Sequence, residues 1–269
     1  MFLDTRPTAD LAMNSDDIHL PRILCLHGGG TNRRIFRTQC RSISAQLKGR
    51  FRLCFAQAPL PSQAGPDVLS VYRGWGPFRA WIPSPLTLVK VDSPTAIALI
   101  EKSLEDAMDA DDLLGATGPW VGVLGFSQGA KVCASLLLAK QVLKEKYKNR
   151  FDFKFGIILA GRGPLVALDP RIPIGGETVV GVNGEDGFIW PGYYEQEPVR
   201  LHLRTVHIHG LQDQGLHLHR QLLQDCCEQG STRLLEWNGN HRVPLRSADV
   251  AALVQQILAV AKDAGVEID

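Results

Sequence analysis

Ser127 stands in Gly125-Phe126-Ser127-Gln128-Gly129, with a glycine two residues away on either side. A serine hydroxyl is a weak nucleophile unless a base lies within hydrogen-bond reach and a third group orients that base. Both partners are available downstream, in the order acid, then histidine. Asp213 lies in Gly210-Leu211-Gln212-Asp213-Gln214-Gly215, and His241 lies in Asn238-Gly239-Asn240-His241-Arg242-Val243-Pro244. The chemistry these three residue types support is acyl transfer through a covalent acyl-serine.

Such groups work only if the chain brings them to one place. Trp120-Val121-Gly122-Val123-Leu124 is an apolar run suited to a strand buried on both faces of a parallel sheet. Ala130, Val132, Leu136, Leu137, Ala139 and Leu143 then recur at helical spacing. A sharp strand-to-helix turn would lift the serine hydroxyl above the strand ends, and Gly125 and Gly129 supply the small residues it requires. Thr205-Val206-His207-Ile208-His209 and Arg233-Leu234-Leu235-Glu236-Trp237 read as strands, so Asp213 and His241 each fall in the loop after a strand. A mostly parallel sheet gathers such loops at one edge.

An acyl-transfer site also needs N–H donors for the oxyanion. Arg22-Ile23-Leu24-Cys25-Leu26 is strand-like and ends in His27-Gly28-Gly29-Gly30-Thr31-Asn32. The expected donors are the amides of Gly29, with Gly30 next, and of Gln128, which follows the nucleophile. A phosphate loop is the rival reading, but neither a Walker lysine nor G-x-G-x-x-G spacing is present. His207, His209, His217 and His219 could in principle chelate a metal, yet no Cys or acidic cluster completes the set, and the expectation is no metal and no cofactor. His207 and His209 equally suit core or rim packing. His202, His217 and His219 lack a loop context for a base, and Asp186, the competitor to Asp213, reads as part of a polar turn.

The residues then carry a resemblance. Ile23 to Asn32, with Ile35, Phe36, Gln39, Ala58-Pro59, Gly65-Pro66-Asp67, the Ser127 pentapeptide, His209 to Asp213 and the closing His241, resemble the fungal serine hydrolase family over nearly the whole chain. The resemblance implies an α/β-hydrolase fold, with Ser127, Asp213 and His241 as nucleophile, acid and base. Through Gly28 to Asn32 and Tyr72-Arg73-Gly74-Trp75-Gly76-Pro77-Phe78, the chain is most similar to members encoded beside fungal polyketide synthases. Those members are implicated in hydrolysing acyl chains from the synthase carrier protein, which implies an acyl thioester or ester as substrate and the carrier protein as partner. The chain departs from the family at Gly239-Asn240-His241, where many members have Gly-Gly-His, and at Ala160-Gly161-Arg162, where relatives often carry Ser-Gly-Phe.

Other elements fit the same plan. Phe36, Cys40, Ile43 and Leu47 predict a helix ending near Gly49, Phe51 to Phe55 a strand, Thr95 to Asp109 a helix, Phe155 to Ala160 a strand, and Ala248 to Ala261 the last helix. Residues 1–20 are expected to form a loose arm and 21–269 one α/β domain with irregular lid or loop insertions. Two segments break the alternation, Pro59 to Pro94 and Gly161 to Arg204, and are the expected substrate walls. Trp75, Phe78, Trp81 and Tyr193 are the rings expected to meet an acyl chain, although each could simply pack its loop onto the sheet. Arg73 and Arg79 are candidates for a carboxylate or phosphate.

The 269 residues are 45% apolar, with a formal net charge of +1. That balance gives no basis for a nucleic-acid or membrane partner. The basic run Lys140 to Arg150 reads first as a solvated helix end and second as a docking patch for an acidic carrier protein. The six cysteines include no C-x-x-C pair, and no signal core or transmembrane run is found, so a cytoplasmic setting is the expectation.

Overall fold

The computed structural model describes residues 17–175, 178–183 and 199–268. In chain order the elements are β1 (Arg22–Leu26), α1 (Arg33–Gln39), α2 (Arg41–Leu47), β2 (Arg52–Ala56), β3 (Leu60–Ser62), α3 (Val68–Tyr72), β4 (Phe78–Ala80), α4 (Ser93–Leu113) and β5 (Trp120–Phe126). They continue with α5 (Gln128–Val142), α6 (Lys144–Tyr147), β6 (Phe155–Leu159), β7 (Leu165–Val166), β8 (Val179–Val180), β9 (Arg204–Gly210), α7 (Leu216–Cys226), β10 (Thr232–Trp237) and α8 (Ser247–Asp263).

Among the described residues six strands form the central sheet in the order β10-β9-β6-β5-β1-β2, and every adjacent pair is parallel. Because side chains alternate along a strand, each strand feeds two cores. Leu24, Leu26, Val123 and Ile158 join one with α4, α5 and Leu222 of α7. Ile23, Cys25, Phe155, Ile157, Val206 and Ile208 join the other with α1, α2 and α8. This is the parallel sheet covered on both faces that the alternating apolar runs predict, and it agrees with the α/β-hydrolase fold implied by the resemblance.

The elements depart from expectation in ways that have local causes. The buried stripe Phe36, Cys40, Ile43, Leu47 is present, but the backbone breaks at Cys40, giving α1 and α2 rather than one helix. Helix α4 starts earlier than Thr95 because the Asp92 carboxylate accepts the Thr95 N–H at 2.8 Å, satisfying a first-turn donor. Ile18, in the expected loose arm, accepts the N–H groups of Thr117 and Gly118 through its carbonyl, so residues 17–20 are tied to the approach to β5. All six cysteines are free and buried. Among the described residues no helix is long and apolar enough to cross a membrane.

The basic run is largely consumed inside the chain. Lys140 pairs with Asp152 at 2.8 Å, Lys146 bridges Glu101 and Asp169, and Arg150 pairs with Asp109. These contacts favour the solvated helix end over a docking patch.

Candidate active site

Strand β5 hands over to α5 at Ser127, whose φ of 53° and ψ of −114° are unusual for a non-glycine residue. Such strain costs of order 1–3 kcal/mol and persists only where the surroundings hold it. Here the Ser127 N–H is held by the Leu159 carbonyl of β6 at 2.9 Å, while its own carbonyl accepts from Ala130 and Lys131. The flanking glycines are sterically required. A Cβ on Gly125 would lie 2.2 Å from the Gly129 carbonyl oxygen, and one on Gly129 would lie 2.2 Å from that of Leu26.

Asp213 and His241 follow adjacent parallel strands, β9 and β10, and their loops are laced together. Leu211 N–H donates to the Trp237 carbonyl at 2.9 Å and Gln212 N–H to that of Gly239 at 2.8 Å. The result is a continuous hydrogen-bonded chain. His241 Nε2 lies 3.0 Å from Ser127 Oγ, and His241 Nδ1 lies 2.6 Å from Asp213 Oδ2. Asp213 is buried, whereas the His241 side chain keeps 36% of its surface exposed, open to an incoming group.

Electrostatics suit a base. Burial lowers the His241 pKa from its ordinary 6.5 against the opposing pull of Asp213, and Arg162 and His219 lower it further. Asp213 is desolvated, which alone would raise its pKa, but hydrogen bonds from His219, Gly215 and His241 bring it down to about 2. An ionised carboxylate therefore faces a neutral imidazole at neutral pH.

The glycine loop after β1 is braced from within. Burial lowers the His27 pKa to about 4, so its neutral ring can accept the Ala58 N–H at Nε2, 3.0 Å away. The Gly30 N–H donates to the Arg79 carbonyl at 2.9 Å, which removes Gly30 as an oxyanion donor. Gly29 abuts Gln128, since a Cβ on it would approach the Gln128 side-chain amide to 3.1 Å. Among the described residues no backbone carbonyl engages the amide of Gly29 or of Gln128. The Gln128 side chain serves as a clamp, accepting the Trp81 N–H at 2.7 Å and donating to the Ile82 carbonyl at 3.2 Å. That role was not visible in the sequence.

The expected substrate rings fare unevenly. Trp81 is fully buried and donates its indole N–H to the His27 carbonyl at 2.8 Å, so it stands as an internal brace rather than an exposed wall. Trp75 is half-buried, stacked over the Arg34 guanidinium and against Tyr72, and Phe78 is half-buried in the β3–β4 hairpin. Arg79 donates to the Pro59 carbonyl, while Arg73 is exposed. Tyr193 and Asp186 lie outside the described residues.

Among the described residues the β9 histidines join no group of metal-ligating side chains. His207 and His209 are buried, with pKa values lowered by desolvation to about 3 and 4, and His217 is exposed on α7. Asp213, His219 and His241 do bring ligand atoms within 4.8 Å of one another. Both ring nitrogens, however, contact the same carboxylate oxygen directly, at 2.9 and 2.6 Å, which is hydrogen-bond geometry with no space between for an ion. His219, weighed in the sequence only as a metal ligand or a base, instead meets the Asp213 carboxylate from behind the site.

Residues 15–253 match the model of the serine hydrolase (FSH1) family. The chain belongs to that family. Among the chain's relatives is esterase pigG of Monascus ruber, 50% identical over 264 residues that cover 94% of this chain and 96% of the relative. Esterase claE of Penicillium crustosum is 48% identical, covering 94% and 97%. Esterase citA of Monascus ruber is 46% identical, covering 95% and 98%. The matched range includes Ser127, Asp213, His241 and the glycine loop from Gly28 to Gly30.

Proposed function

We propose that this serine hydrolase cleaves an acyl thioester or ester with Ser127 as nucleophile, His241 as base and Asp213 as the orienting acid. The observation that carries the reading is the unbroken chain from Ser127 Oγ through His241 to Asp213. Ser127 Oγ attacks the acyl carbonyl carbon while its proton passes to His241 Nε2. The oxyanion accepts from the amides of Gly29 and Gln128, each worth roughly 3 kcal/mol in comparable sites. Collapse of the tetrahedral intermediate breaks the bond to the leaving thiol or alcohol, which takes the proton from His241. Water, deprotonated by the same imidazole, then releases the acid and restores the serine.

Because the His241 pKa is lowered by burial, the free base persists at neutrality. The kcat/KM profile is expected to be flat near pH 7 to 8 and to fall only below about 6.5, as the imidazole protonates. An acidic limb centred well above that value would argue against His241 as the base.

The carrier-bound thioester is the reading implied by the resemblance to polyketide-associated members. The names of the relatives, all esterases, favour a second reading in which free small-molecule esters are hydrolysed. Single-turnover release from an acylated carrier protein, compared with matched free esters, separates the two. Faster release from the carrier, lost in Ser127→Ala, is the expected result; cleavage of free esters alone would assign a carboxylesterase.

A further inference from the structure

His219 sits on α7 with no exposed surface and makes two directional contacts. Its Nδ1 is 2.8 Å from the Gly161 carbonyl oxygen, and its Nε2 is 2.9 Å from Asp213 Oδ2. A carbonyl oxygen can only accept, so Nδ1 must carry a hydrogen. An ionised carboxylate can only accept as well, so Nε2 must also carry one. Were His219 neutral, one of its ring nitrogens would turn a lone pair toward an acceptor in a buried site, either the Gly161 carbonyl or the Asp213 carboxylate, and either contact is repulsive.

We propose that His219 is a positioning residue held as a doubly protonated imidazolium, which pins Asp213 to Gly161 and partly neutralises the carboxylate presented to His241. This rests on the assignment of His241 as base. The charge count is then specific: one buried carboxylate is shared by two imidazoles, one cationic at rest and the other becoming cationic only during turnover. The low pKa of Asp213 agrees with the proton residing on the imidazole.

Among the described residues the surroundings of His219 add no second anion to displace that count. The His241 ring stacks on it at 5.9 Å and 20°, and the His209 ring of β9 lies 5.7 Å away, with a pKa lowered by burial and by His219 itself. Arg162, whose guanidinium packs against Gly215, adds positive charge beside His241. Glu236, which acts on His209, is paired with Arg220 at 2.7 Å. Asp213 is thus the anion that directly meets His219, and its other oxygen accepts the Gly215 N–H at 2.8 Å.

A consequence follows for the base. A cation stacked on His241 opposes its protonation, so removing it should let Asp213 raise the basicity of His241. His219→Gln retains an amide donor but no charge. Its acidic limb is expected to move upward, so that the variant loses about tenfold more kcat/KM at pH 5.5 than at pH 8, the effect of a shift of about one unit. A purely structural role would reduce the rate equally at both values and overturn the proposal.

The protonation state can be read without activity or a His219 variant fold. In 15N-histidine NMR of Ser127→Ala protein at neutral pH, both His219 nitrogens are expected to carry a proton, one for each acceptor they meet. A bare nitrogen on His219 would overturn the proposal. Failure of a fluorophosphonate to label wild-type Ser127 would instead sink the hydrolase reading while leaving the NMR result standing.

Discussion

Ser127→Ala protein is expected to lose about a millionfold in kcat, the scale seen when one member of such a serine site is removed elsewhere. The fold should be almost unaffected. Among the described residues Ser127 Oγ makes its hydrogen bond to His241, whereas the strained turn is held by backbone bonds that alanine preserves and by the flanking glycines. Burst kinetics with an activated ester, fluorophosphonate labelling and a thermal melt together check this. The melt should move by no more than the roughly 0.5 kcal/mol typical of benign substitutions. Labelling that persisted in the alanine variant would place the nucleophile elsewhere, and a large loss of stability would mean that the hydroxyl has a structural role.

Asp213→Asn is expected to be nearly as damaging to turnover and far more damaging to the fold. Loss of the carboxylate deprives the His241 imidazolium of its counter-charge and permits the wrong tautomer, which costs about 10⁴ in kcat in related constellations. The same oxygen serves His219, and the Asp213 and His219 side chains are 1% and 0% exposed. Breaking one partner of a buried pair costs about 3–5 kcal/mol, because the surviving charge is stranded. Denaturant unfolding beside a kcat measurement separates the two effects. A variant as stable as wild type would count against a charged pair at this position.

Much of this was legible from the residues. The strands appear as short apolar runs because both faces of a parallel sheet are buried, and the order of Ser127, Asp213 and His241 along the chain gives three loops at one edge. Sequence periodicity reports which face of an element is apolar, and it cannot report which distant segment meets that face. That is why His219 looked contextless: it reaches Asp213 only because α7 turns back over β9 immediately after the loop. Trp81 failed for the same reason, since a tryptophan in a proline-rich loop is equally a surface ring or a buried brace until the Gln128 clamp and the His27 carbonyl are seen. Cys40 keeps its place in the buried stripe while the backbone leaves the helix, so apolar spacing alone could not reveal the break.

Among the described residues the strand that delivers His241 is the outermost of the sheet on its side, with β9 as its neighbour. It is also only half-buried along its length, whereas β5, which delivers Ser127, is buried nearly throughout. Regions with few buried contacts open at lower free energy than the core. Peeling of β10 would therefore carry off the base while the nucleophile stays at its post on an intact scaffold. Gentle denaturation should thus extinguish hydrolysis before the bulk of the helical signal is lost, and restoring native conditions should rekindle it by re-docking one strand rather than refolding the chain.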